Sequence, residues 1–113
     1  MRIVEKPWGL EEIWAETDRY VGKYLHINSG HRLSLQYHKN KMETIRVISG
    51  ELILETANGV IQVLKQGDTF HVSPGTIHRF GAGENEGVVL VEVSTPELDD
   101  VIRISDDYLR DNT

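Results

Sequence analysis

Two short segments of this 113-residue chain carry metal-binding residue types at regular spacing. The first lies between Gly30 and Gly50 and reads G-x5-Q-x-H-x4-E-x6-G. The second follows from Gly67 and reads GDTFHVSPGTIH. Together they supply an amide, two imidazoles and a carboxylate. The four candidate ligands are Gln36, His38, Glu43 and His78.

Strand geometry predicts that these four side chains converge. Residues i and i+2 of an extended strand point to the same face, so Gln36 and His38 project together. Glu43 lies far enough along the chain to return on the next strand. The alternative for such a cluster is a structural polar network in a barrel that holds no ion.

The donor set determines the chemistry that a bound ion would support. A mixed nitrogen and oxygen set suits several divalent cations, and we predict one ion, with Zn²⁺ as the first choice and Mn²⁺, Co²⁺, Ni²⁺ and Fe²⁺ as alternatives. The amide of Gln36 donates more weakly than an imidazole, so the ion is expected to stay Lewis acidic. That property suits polarisation of a carbonyl better than one-electron oxygen chemistry.

Composition excludes several classes of partner. The formal net charge is −6 and no cluster of Lys and Arg stands out, so we expect no nucleic-acid partner. The absence of cysteine excludes disulfides and thiolate zinc sites. No apolar run has the length of a signal peptide or a bilayer span, so we predict a cytoplasmic protein with no membrane partner.

Short β-rich runs separated by turns dominate the chain and predict an all-β fold. An Asn-Gly pair at 58–59 between two apolar runs is a strong hairpin signal. Turns every eight to twelve residues indicate one antiparallel sandwich or barrel domain over residues 1–113. We expect a flexible loop at 81–83 and short helical turns only at 96–100 and 106–110. The predicted strands are 20–27, 33–37, 44–48, 52–56, 60–64, 69–73, 77–80 and 88–93.

The two segments resemble the paired motifs of the cupin family. Three positions depart from the family pattern: Gln36 replaces the first histidine, Ser73 stands at the usual proline position, and Ala82 replaces the usual asparagine. The resemblance implies a double-stranded β-helix (jelly-roll) barrel with a metal ion in its mouth. The matching positions are Gly30, His38, Glu43, Gly50, Gly67, Gly75 and His78.

Within that family the chain is similar to the type II mannose-6-phosphate isomerases and to the isomerase domain of bifunctional mannose-1-phosphate guanylyltransferases. The glutamine before His38 is part of this likeness, and Leu109 departs from it because that group normally has glycine there. The resemblance implies interconversion of mannose 6-phosphate and fructose 6-phosphate. Other segments that carry it are Lys6 to Gly9 with Glu12, Ser49-Gly50, Ile102-Arg103, Asp106 and Tyr108 to Arg110.

An aldose–ketose isomerase also needs a base that moves a proton between two carbons, and a site for the phosphate. The sequence does not identify the base. Arg32 is favoured for the phosphate because it shares the strand parity of Gln36. The candidates for the base are His71, Glu92 and His26, and those for the phosphate are Arg32, Lys23 and Arg110.

Three functions remain open at this stage. The first is the isomerase of mannose 6-phosphate. The second is a non-catalytic, metal-containing cupin that binds a sugar or sugar phosphate as a sensor or accessory subunit. The third is another metal-dependent reaction, either an isomerase of a different sugar or an oxygenase, although an oxygenase iron usually needs more nitrogen donors. Small cupins are often dimers, so we also predict a homodimer, with an exposed strand edge or Trp8 as the contact.

Overall fold

The computed structural model describes residues 1–110, which form two antiparallel sheets. Apart from one short 3₁₀ turn at Ala57–Gly59, all regular structure in this part of the chain is β. Within residues 1–110 no helix is long and apolar enough to cross a membrane. The strands are β1 (Arg2–Lys6), β2 (Gly9–Glu16), β3 (Val21–Ile27), β4 (Leu35–Tyr37), β5 (Glu43–Ser49), β6 (Leu52–Thr56), β7 (Val60–Leu64), β8 (Thr69–Val72), β9 (His78–Ala82), β10 (Val88–Ser94) and β11 (Ile102–Ser105).

The two sheets pack face to face, as in a jelly roll. One sheet has six strands in the order β1-β2-β3-β10-β5-β8, and the other has five in the order β11-β4-β9-β6-β7. Successive strands such as β4 and β5, or β8 and β9, lie in different sheets, so the chain crosses repeatedly between the two layers. The all-β, double-stranded β-helix prediction is therefore confirmed.

The core lies between the inner faces of the sheets. In β6, Leu52 and Leu54 are fully buried while Ile53 between them is only half-buried, as the two-residue period of a strand requires. The same alternation buries Val88 and Leu90 in β10. The remaining core side chains are Trp8, Leu25, Ile27, Leu33, Ile45, Val47, Val72, Phe80 and Ala82.

The residue types at the turns allow the strands to reverse direction. The predicted hairpin at 52–64 is confirmed, with β6 and β7 paired from Thr56–Val60 to Leu52–Leu64. Asn58 and Gly59 adopt φ of 65° and 72°, which these two residue types tolerate. The turn after β5 also needs glycine: Gly50 has φ of 78°, and a Cβ there would lie 2.4 Å from the carbonyl oxygen of Gly87.

The observed elements differ from the sequence-based expectations in several places. Strands β1, β2 and β11 were not predicted, because charged residues interrupt their apolar pattern. β1 and β11 are edge strands, and β2 lies between β1 and β3. Residues 81 and 82 were expected in a loop but complete β9, where Arg32 packs so closely on Gly81 that a Cβ would lie 2.9 Å from the Arg32 Cβ. The segments 96–100 and 106–110 form short hydrogen-bonded turns but no regular helix.

Candidate metal centre

Three of the predicted ligands meet in the interior, and they come from both sheets. His38 directly follows β4 and His78 begins β9 in the five-stranded sheet, whereas Glu43 begins β5 in the six-stranded sheet. Oε1 of Glu43 lies 3.1 Å from Nε2 of His38 and 3.3 Å from Nε2 of His78. All three side chains are at most 3% exposed. Atoms that ligate one ion at about 2.0–2.2 Å are separated by roughly 3.0–3.4 Å, so this spacing fits a shared cation.

The hydrogen bonds of the outer ring nitrogens orient both imidazoles. Nδ1 of His38 lies 2.6 Å from the carbonyl oxygen of Asp100, and Nδ1 of His78 lies 2.9 Å from that of Thr76. A carbonyl only accepts, so both Nδ1 atoms carry a proton. Each Nε2 must then either hold a second proton or present its lone pair to a cation, and Nε2 of His78 is buried without a hydrogen-bond partner. This is the arrangement of metal-ligating histidines fixed by backbone carbonyls.

Gln36 is placed to join these ligands. It lies directly opposite His78 in the pairing of β4 with β9 and lines the same cavity. Its side-chain oxygen accepts a hydrogen bond from Oγ of Ser34 at 2.7 Å. An amide oxygen has two lone pairs, so this bond leaves one for an ion. The residues therefore fit a mixed N/O site, and the membership of Gln36 in it is a proposal.

A buried chain of alternating charges supports Glu43. Nζ of Lys41 lies 3.5 Å from Glu43 and 3.2 Å from Glu92, and Nζ of Lys23 lies 3.8 Å from Glu92 and 3.1 Å from Glu11. The four residues that extend this chain from Glu43, namely Lys41, Glu92, Lys23 and Glu11, have side chains at most 12% exposed. Charges placed so deeply require partners, and each here has at least one.

The environment separates the pKa values of the two central carboxyls. Burial acts to raise the pKa of Glu43, but its close contacts with Glu92, His38 and His78, and the charge of Lys41, lower it well below its usual range. Burial and the charge of Glu43 raise the pKa of Glu92 to about 8, against the opposing charges of the two lysines. Glu43 is therefore an anion at neutral pH, and Glu92 is the carboxyl of the pair that takes up a proton more readily.

A cavity of about 70 Å³ opens beside these carboxyls. Its walls combine polar and charged side chains, His38 and Glu43 among them, with apolar ones such as Leu33 and Phe80, while His78 lies behind the wall against Phe80. This volume holds several water molecules, whereas sites for small organic ligands usually enclose about 300–1,000 Å³. The remaining lining residues are Lys6, Trp8, Glu11, Lys23, Leu25, Gln36, Lys41, Glu92, Leu98, Val101, Arg103 and Arg110.

The structure distinguishes the three candidates for the base. Glu92 lines the cavity beside Glu43. His26 is half-exposed and lies 2.7 Å from Glu12, and His71 is exposed and bonds to Oγ1 of Thr44 at 2.9 Å. Neither histidine lines the cavity. Only Glu92 is therefore brought to the predicted ligands.

Of the three phosphate candidates, Lys23 and Arg110 line this cavity and Arg32 does not. The guanidinium of Arg32 makes two hydrogen bonds to Asp107, at 2.8 and 3.0 Å, beside a second cavity. The expectation that Arg32 points to the same face as Gln36 was wrong, because the regular strand begins only at Leu35. Leu33 and Gln36, three residues apart, both line the first cavity, so the alternation shifts between them.

Three residues around the site were given no role in it by the sequence analysis of the motifs, although Arg103 was named as part of the closing segment. Lys41 joins Glu43 to Glu92, and Arg103 lies opposite Gln36 in the pairing of β11 with β4. Asp100 accepts the His38 hydrogen bond. Lys41 stands two residues before Glu43, so strand alternation could have placed it on the same side as this ligand. Arg103 and Asp100 reach the site only because the chain returns over β4.

Comparison with known proteins agrees with this architecture. The family model described as "Cupin domain" matches residues 23–94, and the chain belongs to the cupin family. Mannose-1-phosphate guanylyltransferase of Escherichia coli is 33% identical over 115 residues, which include 96% of this chain. The chain spans only 23% of that relative's length. It is thus similar to one part of a longer enzyme.

Two solved structures illustrate the likeness of fold. An uncharacterised double-stranded β-helix protein of Klebsiella pneumoniae superposes with a TM-score of 0.72 at 27% identity, over 80% of this chain and 79% of that one. A sugar phosphate isomerase from the cupin superfamily of Silicibacter pomeroyi superposes with a TM-score of 0.62 at 22% identity, over 68% of this chain and 50% of that one. At this identity the second likeness concerns the fold alone.

Proposed function

We propose that this cupin is a metal-dependent sugar-phosphate isomerase that interconverts mannose 6-phosphate and fructose 6-phosphate. The observation that carries the proposal is the convergence of His38, Glu43 and His78 beside a cavity lined by further acids and bases. The relationship to mannose-1-phosphate guanylyltransferases supports the mannose series of substrates. A fold alone would not define the reaction, so the proposal depends on this site.

The four ligands would hold one divalent cation, with Zn²⁺ as the first choice. When bound, such an ion supplies a Lewis acid that polarises the sugar carbonyl and stabilises negative charge on the neighbouring oxygens. Gln36 would complete the set as a neutral oxygen donor. Glu43 would be the only charged ligand, so it would neutralise one of the two charges of the cation and leave the site with a net positive charge.

Glu92 is our candidate for the group that transfers the proton between C1 and C2. It lines the cavity and touches Glu43, whereas His26 and His71 lie outside. Lys41 and Lys23 hold its carboxyl in place from two sides. A positioned carboxyl that moves a proton typically contributes about 10²–10⁴-fold to the rate.

The cationic residues at the cavity wall would bind the phosphate. Lys23 and Lys41 are engaged by buried carboxylates, and the guanidinium of Arg110 makes two hydrogen bonds to Asp106, so Arg110 would have to exchange that partner for the phosphate. Arg103 and Arg110 come from the closing segment, and a guanidinium can hold phosphate through two parallel hydrogen bonds. Since the cavity is small, we expect the segment that carries Leu98, Val101 and both arginines to move when the sugar phosphate enters.

A coupled assay for fructose 6-phosphate tests the proposal. Protein reconstituted with Zn²⁺, Co²⁺ or Mn²⁺ is incubated with mannose 6-phosphate, with glucose 6-phosphate as a matched control. Unphosphorylated mannose is a second control, for which the product measured is free fructose. We expect turnover of mannose 6-phosphate only, and its loss after chelation. Binding of the sugar phosphate without turnover would instead support an accessory, sugar-binding cupin, and turnover of the glucose compound would indicate a different substrate.

A further inference from the structure

A second cavity lies on the outer face of the five-stranded sheet. His78 points from β9 towards the core, so the next residue, Arg79, points to the opposite face, where it lines this cavity. The volume is about 290 Å³, close to the lower end of the about 300–1,000 Å³ that sites for small organic ligands usually enclose. Among residues 1–110, none lines both this cavity and that of the metal centre, so the two are separate.

The guanidinium of Arg79 is buried in the wall of this cavity with incomplete pairing. The side chain is 6% exposed. Its Nη2 donates to the carbonyl oxygen of Ser105 at 2.9 Å, while Nη1 lies 3.7 Å from Oε1 of Glu55, beyond hydrogen-bonding distance. Within the described part of the chain, Nε has no hydrogen-bond partner. Buried charges are normally paired, so the unused donors of this group favour an anionic ligand.

Arg32 places a second guanidinium beside Arg79. It pairs with Gly81, which lies two residues after Arg79 on β9 and therefore on the same face. Burial and the charge of Arg32 lower the pKa of Arg79, a sign that the two positive charges are not fully compensated. Nε and Nη2 of Arg32 donate to Asp107, which leaves the two N–H groups of Nη1 for another acceptor.

The other side chains of the wall favour a ligand with hydroxyl groups and a short carbon skeleton. Glu55 and Glu84 line the cavity and are more exposed than Arg79. Their carboxylates accept hydrogen bonds from hydroxyls but repel a second anionic group. Ile53 and Ile61 supply apolar surface that can pack on carbon atoms. A compound with one anionic group and several hydroxyls fits this combination.

We propose that the second cavity binds a small phosphomonoester of a polyhydroxy compound, with its phosphate between Arg79 and Arg32. A phosphate presents three terminal oxygens, enough to accept hydrogen bonds from both guanidiniums, whereas the two oxygens of a carboxylate are matched by one. The site differs from the one proposed for the substrate phosphate, because Arg103 and Arg110 line the cavity of the metal centre. The proposal is therefore independent of the proposed reaction.

Binding of glycerol 3-phosphate to the full chain tests the proposal. This probe has a phosphate and two hydroxyls but no carbonyl group, so an aldose–ketose isomerase cannot turn it over. Isothermal titration calorimetry should show saturable binding of glycerol 3-phosphate and none of glycerol. In nitrogen-15 NMR spectra, the Nε–H signal of Arg79 should shift during the titration with the phosphate compound.

Substitutions of the partly exposed pair Arg32 and Asp107 locate the site with little risk to folding. Arg32→Gln should weaken binding by about tenfold or more, the usual effect of losing a hydrogen bond to a charged group. Asp107→Asn should strengthen binding by about two- to fivefold, because an exposed ion pair no longer competes for Arg32. Arg19→Gln and Asp18→Asn, in the exposed turn before β3, make the same changes of charge elsewhere and should bind like the unaltered chain.

Arg79→Lys keeps the buried positive charge but removes the planar guanidinium, so it should also weaken binding by about tenfold. If this variant does not fold, the Arg32 and Asp107 variants decide the outcome. The proposal is overturned if glycerol 3-phosphate does not bind at millimolar concentrations, if glycerol binds equally well, or if Arg32→Gln binds the phosphate compound as tightly as the unaltered chain.

Discussion

Asp100 binds the loop that carries His38 through both its backbone and its side chain. Its carbonyl oxygen lies 2.6 Å from Nδ1 of His38. Its carboxylate accepts hydrogen bonds of 2.7–3.0 Å from the successive backbone N–H groups of Lys39, Asn40 and Lys41. The segment after β10 therefore fixes both the orientation of one candidate ligand and the turn that leads to Glu43.

Asp100→Ala is expected to weaken metal binding without removing a ligand. Alanine keeps the backbone carbonyl that bonds His38, so the effect comes from loss of the carboxylate that holds the turn at 39–41. Loss of outer contacts that position a ligating histidine typically lowers metal affinity by about 10–100-fold. Competition with a coloured chelator measures the affinity. Asp99→Ala, which removes the exposed neighbouring carboxylate, is the control. Equal metal affinity of both variants would show that Asp100 does not organise the site.

His38→Ala and His78→Ala are each expected to lose the metal ion. Removing one imidazole leaves an incomplete donor set that cannot be replaced from the apolar core behind His78. Elemental analysis of purified protein should show less than one ion per ten chains for either variant, against about one per chain for the unaltered protein. His71→Ala, which removes an exposed imidazole, should keep its ion. Full metal content in either ligand variant would contradict the assignment.

Glu92→Gln is expected to reduce turnover by about 10²–10⁴-fold while the protein keeps its metal ion. The amide preserves the shape of the side chain but cannot exchange a proton. Steady-state turnover and exchange of the C2 proton with deuterated solvent should both fall. His26→Gln, outside the cavity, is the matched control. Unchanged exchange in a metal-replete Glu92→Gln protein would exclude Glu92 as the group that transfers the proton.

Asp106→Asn is expected to change stability in acid. Hydrogen bonds from Arg110, opposed by burial, lower the pKa of Asp106 to about 2. The unfolded chain titrates near 3.9, so this contribution to folding is complete above about pH 4 and disappears as pH falls towards 2.

Chemical denaturation across this range measures the effect. The unaltered protein should lose more stability than the variant between about pH 4 and pH 2. Asp18→Asn in the exposed turn before β3 should follow the unaltered protein. Parallel curves for Asp106→Asn and the unaltered protein would show that the Arg110 contact adds no stability.

Local sequence patterns predicted those parts of the site that depend on local geometry. The spacing of Gln36 and His38, and the turn at Asn58-Gly59, follow from strand period and backbone preference within a few residues. The spacing of residues in the sequence could not show that Arg32 lies outside the alternation of β4. The irregular backbone between Leu33 and Leu35 accompanies a contact of Arg32 with Gly81 across the sheet.

Long-range contacts formed the rest of the site. Asp100 and Arg103 reach the ligands because the segment after β10 returns across β4, more than 60 residues along the chain from His38 in the case of Asp100. Lys41 and Glu92 meet because β5 and β10 are neighbours in the six-stranded sheet. The residue types of Lys41 and Glu92 can be read from the sequence, whereas their proximity results from the order of strands in the sheet.

The most direct test is a titration of metal-free protein with Zn²⁺, or with Co²⁺ in a parallel series, in which bound metal and turnover of mannose 6-phosphate are measured on the same samples. The account predicts no turnover without metal, a linear rise with occupancy, and a plateau at one ion per chain. Turnover by the metal-free protein, or none at full occupancy, would contradict it.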